Sequence, residues 1–457
     1  MTDNTIHQME KNIKSIELLL PAGDFEKMKF AFDFGADAVY LGIPRYSLRA
    51  RVNKFRTMDS VIEAVEYAHD LGKKVYVTAN IFPHNRKVNP FIKFIDEFLQ
   101  RCQPDAWIMS DPGMIMLMKE KHPQQIIHLS VQANTVNYAT AKFWEKMGVN
   151  RVILSRELMI EEIKAIKDFC PELEIEVFVH GAICIAYSGR CLISNYLASR
   201  DPNQGTCANS CRWQYKLYQK QPIQPANLIN LAKESELAIT QSGDKYTYLH
   251  GDFYLEETEN RSGQYMQIDE DENGSYLMNA RDLCAIEYLS ELKAAGVDSF
   301  KVEGRTKSVY YVSMITRAYR KAINDIEKGK PFDSELYRDI FSTANKGFTA
   351  GFLKGNPGHS AQKFDHSVPG TQCYRFSAIV RGFEKSKKLI KVEPRNKITR
   401  GKTLELISKN KTIPFSVESI FDERFNEVEA ISGGAGSFWI PFLEKPEEFS
   451  LLREPIG

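Results

Sequence analysis

Eight short apolar runs recur along the first three hundred residues, each followed by a stretch of helical period, and this repetition limits what the chain can become more than its composition does. The runs are SIELLLPAG (15–23), AVYLG (38–42), KVYVTAN (74–80), AWIMSD (106–111), IIHLSVQA (126–133), RVILSR (151–156), EIEVFVHG (174–181) and DSFKVEG (298–304). Parallel neighbours need a long crossover, and a helix is the usual one, so repeated units of this kind build a parallel sheet. Eight of them close a (β/α)8 barrel. The competing open doubly wound sheet usually carries a glycine-rich fingerprint after its first strand, and ELLLPAGDFEKMKFAF has no G-x-G-x-x-G.

The fold expected is therefore α/β, a TIM-like barrel over 1–345 with a large insertion at 182–297 between strands seven and eight. A chain of 457 residues exceeds one ordinary core. After a helix at 308–329 and a linker at 346–370, the pattern changes to short alternating runs such as YRFSAIVRGF, KLIKVEPRN, KTLELIS and FWIPF. These predict a small all-β barrel of about six strands over 371–457. Inside the insertion, YTYLHGDFYLEE and GQYMQIDEDENGSYLM read as a hairpin or small sheet.

Residues just beyond each strand of such a barrel share one face, where barrel enzymes place their chemistry. Asn80, Asp111, Gln132, Asn134, Arg156, His180, Glu303 and Arg305 all fall there. Any one of them could be only a helix cap or a loop-satisfying side chain; their recurrence is the signal. The loop after strand two, PRYSLRARVNKFR, adds Arg45, Arg49, Arg51, Lys54 and Arg56 with aromatic residues between them. Elsewhere such a run would be a solvated surface, but at this face guanidinium groups can hold phosphates or carboxylates while rings stack on bases. The formal net charge is only +1, so a polyanion would be gripped by local patches.

Four thiols, Cys184, Cys191, Cys207 and Cys211, crowd the segment after strand seven with gaps of six, fifteen and three residues. Clustered soft ligands suit zinc or an iron–sulfur cluster. The spacing leans to iron, because only Cys207-x3-Cys211 resembles a zinc knuckle. Cys284 could fold back and replace Cys211 as the fourth donor, and spacing does not choose between them. The alternative is that these are small buried hydrophobes or a disulfide pair. The polar start MTDNTIHQMEKNIK has no apolar targeting core and no later run spans a bilayer, so a cytoplasmic chain with reduced thiols and no membrane partner is expected.

ELLLPAGDFEKMKFAFDFGADAVYLG, HLSVQANTVN, FVHGAICIAYSGRCLISNY, RDPNQGTCANSCRW and SFKVEGRTKSVYYV together resemble the collagenase-like peptidase family, over nearly the whole chain. The resemblance implies RNA modification rather than proteolysis: prephenate-dependent conversion of the wobble uridine in a tRNA anticodon loop to 5-hydroxyuridine, the first step towards 5-carboxymethoxyuridine. Related members hydroxylate a ribosomal RNA cytidine or serve ubiquinone hydroxylation with a four-cysteine [4Fe-4S] cluster. It places the cluster on Cys184, Cys191, Cys207 and, as first choice, Cys211, with an electron-transfer partner a possible addition. Oxygenating a ring carbon needs a redox cofactor, which agrees. The residues read as catalytic are then His180, Glu303, Arg305 and Gln132, and those read as RNA- or prephenate-binding are Arg45, Arg49, Arg51, Arg156 and Asn80. His180 either carries a proton or orients the cysteine loop. A collagenase-like peptidase is the rival, but the chain has no HExxH and no G-x-S-x-G. A non-catalytic RNA-binding protein with a structural cluster is the third reading.

Overall fold

Eight parallel strands close on themselves: β1 (Glu17–Pro21), β2 (Ala38–Gly42), β3 (Lys74–Ala79), β4 (Ala106–Met109), β5 (Ile127–Leu129), β6 (Arg151–Ile153), β7 (Glu174–Gly181) and β8 (Ser299–Val302). Each pairs with the next, and β8 joins β7 to β1 through Ser299↔Glu176 and Glu17↔Ser299. The (β/α)8 barrel is the architecture expected. The computed structural model describes residues 15–48, 53–183, 281–345, 347–355 and 373–456, and six short strands between 218 and 276.

The helices α1 (Phe25–Asp33), α2 (Met58–Asp70), α3 (Val88–Leu99), α4 (Pro112–Lys121), α5 (Tyr138–Lys146), α6 (Ile160–Phe169), α7 (Leu289–Ala294) and α8 (Val309–Glu327) follow their strands in turn. Five begin on a side chain that satisfies an otherwise orphaned amide: Asp24, Thr57, Asp111, Asn137 and Ser308. Asp111 is thus the cap of α4, accepting from the Met114 amide at 3.0 Å, and not a mouth group. Among the described residues no helix is long and apolar enough to cross a membrane.

Outward residues of the strands form one core with the helices, including Leu18, Leu20, Val39, Val75, Val77, Trp107 and Val152. The inward set, two residues apart on each strand, fills the lumen with Leu19, Tyr40, Tyr76, Ile108, Ile153 and Phe178. At the lower end the filling is charged. Arg151 Nη1 donates to Glu17 Oε1 at 2.6 Å and Glu176 Oε2 at 3.1 Å, and Lys301 Nζ donates to Glu176 Oε1 at 2.7 Å. The Tyr76 hydroxyl donates to Glu17 Oε2 at 2.5 Å. His128 lies beside this network, its ring 4.6 Å edge-on to Tyr76, with Nδ1 buried and unbonded among the described residues.

The segment at 281–297, expected to be insertion, belongs to the barrel. Asp282–Cys284 runs antiparallel to β7 through Leu283↔Gly181 and Cys284↔His180, and Phe348–Thr349 pairs beside it. Leu289 and Leu292 of α7 are fully buried in the barrel core. Within the insertion, Phe253–Glu256, Tyr265–Asp271 and Gly274–Tyr276 form an antiparallel meander, the small sheet expected there. Tyr218–Lys220, Leu237–Ile239 and Lys245–Tyr248 form a second.

Residues 374–455 form the antiparallel all-β unit, a six-stranded sheet in the order 412–416, 403–407, 451–455, 374–384, 389–394 and 438–441. The inner strand Leu451–Pro455 was not anticipated, because LLREP carries charges mid-run. Those charges are paired: fully buried Arg453 donates from Nε to Glu405 Oε2 at 2.8 Å and lies 3.4 Å from Asp339 Oδ1. Asp339 in turn takes both Nε and Nη2 of Arg317 on α8, at 2.7 and 2.6 Å. Phe30, Phe34, Val309, Tyr310 and Met314 of the barrel helices share a core with Ile379, Ile407 and Leu451. At about 1.5–3 kcal/mol per buried side chain, that interface matches a domain's whole net stability, so the unit is docked rather than tethered.

Burial, and then Arg151, Lys301 and Lys74, hold the His128 pKa well below its ordinary value. An unfolded histidine protonates below about pH 6.5, where His128 in the folded chain stays neutral. Stability should be full above that pH and fall below it, with about 1.4 kcal/mol per pH unit coming from this group. His128→Gln should flatten the pH dependence of the urea midpoint between pH 7 and 5. A slope equal to that of the wild type would show that the folded chain accepts the proton.

Candidate active site at the barrel mouth

Above the charged layer the lumen opens into a cavity of about 120 Å³ whose floor is Tyr40, Ile108, Ile153 and Phe178 and whose wall includes Asn80, Gln132, Arg156, Lys301, Glu303 and Arg305. Period-two alternation explains the membership. Thr78 and Asn80 follow inward Tyr76, Ser130 follows His128, and Glu303 follows Lys301.

Three cations face this space. Lys301 is fully buried, its ammonium held by Glu176 and 4.4 Å from the Tyr40 ring centroid. Burial pushes its pKa down, against the pull of the Glu176 carboxylate. The Arg156 guanidinium sits 4.0 Å over the Phe178 ring, donates to the Ala182 carbonyl at 2.6 Å, and keeps Nε buried without a partner among the described residues. Arg305 donates to the Leu48 carbonyl and lies 3.4 Å from Thr78 Oγ1. Its place depends on two glycines: a Cβ on Gly42 would stand 2.8 Å from Arg305 Nη1 and 2.4 Å from Ser47 Oγ, and one on Gly23 would be 2.0 Å from the Arg305 carbonyl.

Glu303 supplies the carboxylate, accepting from the Tyr40 hydroxyl at 3.1 Å. Asn80 mainly holds the wall together, its Oδ1 accepting from the Leu48 amide at 3.1 Å and its Nδ2 reaching Ser130 Oγ at 3.4 Å. The Gln132 side chain makes no hydrogen bond among the described residues, so its amide faces the cavity uncommitted. Asn134 is locked by the Ser155 hydroxyl at 2.9 Å. The arrangement can bind carboxylate or phosphate by Lys301, Arg156 and Arg305, present aromatic surface to a planar ring, and move a proton through Glu303.

His180 does not join the site. Strand parity would turn it inward with Phe178, but the β7–β8 register slips there: Lys301 pairs with Phe178 and Val302 with His180, leaving Val179 as the extra residue. A bulge of one residue moves the next side chain to the other face. His180 therefore packs outside the lumen against Tyr311, Tyr319 and Phe348, with Nδ1 3.2 Å from the Tyr319 hydroxyl. Burial, with Lys307 nearby, pushes its pKa down to about 3, so it is a neutral packing group at physiological pH and carries no proton to the mouth. Arg45 is also apart, exposed in a left-handed turn (φ 69°) beyond β2.

Cys284 lies in the same outer layer, its Sγ 3.8 Å from the Tyr319 hydroxyl, and burial raises its pKa to about 11. The neutral thiol is thus packed under the aromatic layer. Cys184, Cys191, Cys207, Cys211, Arg49 and Arg51 lie outside the described residues. Ala182, near the end of the described stretch before them, lines the cavity, and its carbonyl accepts from Arg156. Lys301 and Tyr40 are the functional residues that sequence reasoning missed. Counting back two from Glu303, or placing Tyr40 by parity in AVYLG, would have found them.

Residues 23–363 match Peptidase family U32, and residues 372–453 match the Peptidase family U32 C-terminal domain. The chain is 44% identical to tRNA hydroxylation protein P of Escherichia coli, over 95% of this chain and 96% of that one. It is 42% identical to the protein of the same name in Haemophilus influenzae, over 95% and 94%. The 23S rRNA 5-hydroxycytidine C2501 synthase of Escherichia coli is 31% identical over 68% of this chain and 40% of its own length.

If Lys301 and Glu176 neutralise each other in the lumen, Lys301→Met should destabilise by about 3–5 kcal/mol, because Glu176 is left with Arg151 alone. Glu176→Gln together with Lys301→Met should cost at least about 1 kcal/mol less than the two single changes summed. Urea unfolding of the four proteins measures this, and strict additivity would dissolve the pair.

Proposed function

The chain belongs to peptidase family U32, and on that footing we propose that it hydroxylates tRNA, taking the wobble uridine to 5-hydroxyuridine with prephenate as co-substrate. The observation that carries the reading is the cluster of Lys301, Arg156 and Arg305 over an aromatic floor, in a chain aligned along 95% of its length with a relative named for tRNA hydroxylation. A dicarboxylate such as prephenate suits these cations, which can divide between its two ends. A flat pyrimidine suits Tyr40 and Phe178, and an anticodon-loop base is the kind that can leave its stack to reach them. Glu303, bonded to the Tyr40 hydroxyl, is placed to hold or take a proton at the ring.

No side chain at the mouth can oxidise a pyrimidine, so a cofactor must supply the redox capacity. Four thiolates are the usual donor set of a [4Fe-4S] cluster, and Cys184, Cys191, Cys207 and Cys211 would hold it. Cys211 is preferred to Cys284 because the latter's thiol is packed against Tyr319. The cluster would stand close to the cavity, since its segment begins at Ala182. An electron-transfer partner would then restore it.

The test is the nucleoside profile of tRNA from a strain lacking the gene, complemented with wild type, Cys184→Ala or Arg305→Ala. The 5-hydroxyuridine-derived nucleosides should vanish on deletion, return with wild type, stay absent with Cys184→Ala and fall at least about tenfold with Arg305→Ala. Blocking prephenate synthesis should give the deletion profile. An unchanged profile in the deletion strain would overturn the assignment. Its persistence with Cys184→Ala would overturn the cluster alone.

A further inference from the structure

The β unit carries, on its outer surface, a paired aromatic platform with lysines set over it. Phe425 is 42% exposed and its ring stacks on Trp439, centroids 5.8 Å apart and planes 20° from parallel. Lys387 Nζ stands 3.4 Å from the Phe425 ring centroid, and Lys391, opposite Trp439 across the sheet, has Nζ 5.8 Å from the indole. Lys385, Ser386, Lys387 and Lys388 make the exposed tip of the hairpin between Tyr374–Glu384 and Leu389–Pro394. Lys385, Lys387 and Lys388 form no ion pair among the described residues. Of the nearby acids, Glu423 pairs with Lys391 of the platform at 3.6 Å, which leaves the three tip lysines as its uncompensated charge, and Glu427 pairs with Arg400 at 3.1 Å.

The loop that presents Phe425 is built for the purpose. Asp422 Oδ1 accepts from the Arg424 and Asn426 amides, both at 2.8 Å, and Oδ2 accepts from Asn426 Nδ2 at 3.0 Å. Phe425 itself is left-handed, φ 63°, a backbone that a bulky side chain rarely adopts. A strained, internally bonded turn that holds a large ring in solvent gains nothing for the core. Its outcome is an apolar plate with a lysine ammonium over its Phe425 face.

We infer that this platform is a second RNA-contact surface, where an unpaired base stacks on the Phe425–Trp439 plate while Lys385, Lys387 and Lys388 meet the flanking phosphates. The inference rests on the tRNA reading of the mouth and adds to it. Base stacking on aromatic rings with cationic cover is the sequence-tolerant mode of single-strand binding. The net charge of +1 leaves no global field to gather a polyanion, so a local patch of this kind is needed for affinity. The strand that leads into the hairpin is anchored to the barrel where Arg381 pairs with Glu26 in the first turn of α1, at the mouth end.

The experiment measures the affinity of the full-length protein for unmodified tRNA at several salt concentrations, for wild type, Phe425→Ala, Phe425→Gly and a Lys385→Ala/Lys387→Ala/Lys388→Ala triple variant. Phe425→Gly removes the ring while suiting the left-handed backbone, so its fold is safe even if Phe425→Ala is strained. Both Phe425 variants should bind roughly 5- to 150-fold more weakly at unchanged urea midpoint. The triple variant should bind more weakly and lose about 2 units from the slope of log affinity against log salt. Wild-type affinity and slope in Phe425→Gly and the triple variant would overturn this surface and leave the mouth assignment standing. A wild-type protein that binds no tRNA at low salt would overturn both.

Discussion

Two buried ion pairs in the lumen, Lys301 with Glu176 and Arg151 with Glu17, are the constraint on which the mouth depends. They join β1, β6, β7 and β8, the strands around the seam where the insertion interrupts the repeat. Charges without partners at such depth would cost several kcal/mol each, so the register that pairs them is strongly preferred to any other. A one-residue slip in β8 would turn Lys301 and Glu303 out into the helical layer and bring Phe300 and Val302 into the lumen. The site is therefore specified from below, by carboxylates and a guanidinium beneath the cavity that fix the one cation, Lys301, shared with its lining.

A second local feature divides the barrel's end into two environments. The extra residue at Val179 sends His180 into the aromatic layer under α8, while Glu303 on the neighbouring strand keeps its inward direction. Gly181 completes the crossing: its φ is +107°, and a Cβ there would stand 2.6 Å from the Glu303 carbonyl. Titratable groups of similar sequence position thus end in opposite roles. His180 is a neutral spacer in a dry layer, and Glu303 is a carboxylate at the cavity wall bonded to Tyr40.

Much of this was legible in the chain. Their position at the ends of the apolar runs placed Asn80, Gln132, Arg156, Glu303 and Arg305 on one face, and all five line the cavity. What escaped had physical causes. A bulge has no signature in EIEVFVHG, which misplaced His180, and Asp111 and Asn134 are taken up by a helix cap and by the Ser155 hydroxyl. Lys301 and Arg453 were not singled out, because a lone sequence does not show the carboxylates that neutralise them, Glu176 and Glu405, 125 and 48 positions away. The surroundings of Cys284 were not legible either, since only the pairing of Asp282–Cys284 with β7 reveals that its thiol turns toward Tyr319.

The distribution of charge sets how such a protein can recognise a polyanion. With 60 basic against 59 acidic residues, attraction beyond a Debye length of about 8 Å is negligible at physiological salt. Encounter is then unsteered, and selectivity has to come from simultaneous fit. The mouth alone offers few contacts, because Arg156 and Arg305 already spend part of their donor capacity on Ala182, Thr78 and Leu48. A second surface fixed to the same rigid body raises the effective concentration of the first. The interface of Phe30, Phe34, Tyr310 and Met314 with Ile379, Ile407 and Leu451 is what makes that rigidity possible, and it explains why an all-β unit with no evident chemistry is packed so firmly against the barrel.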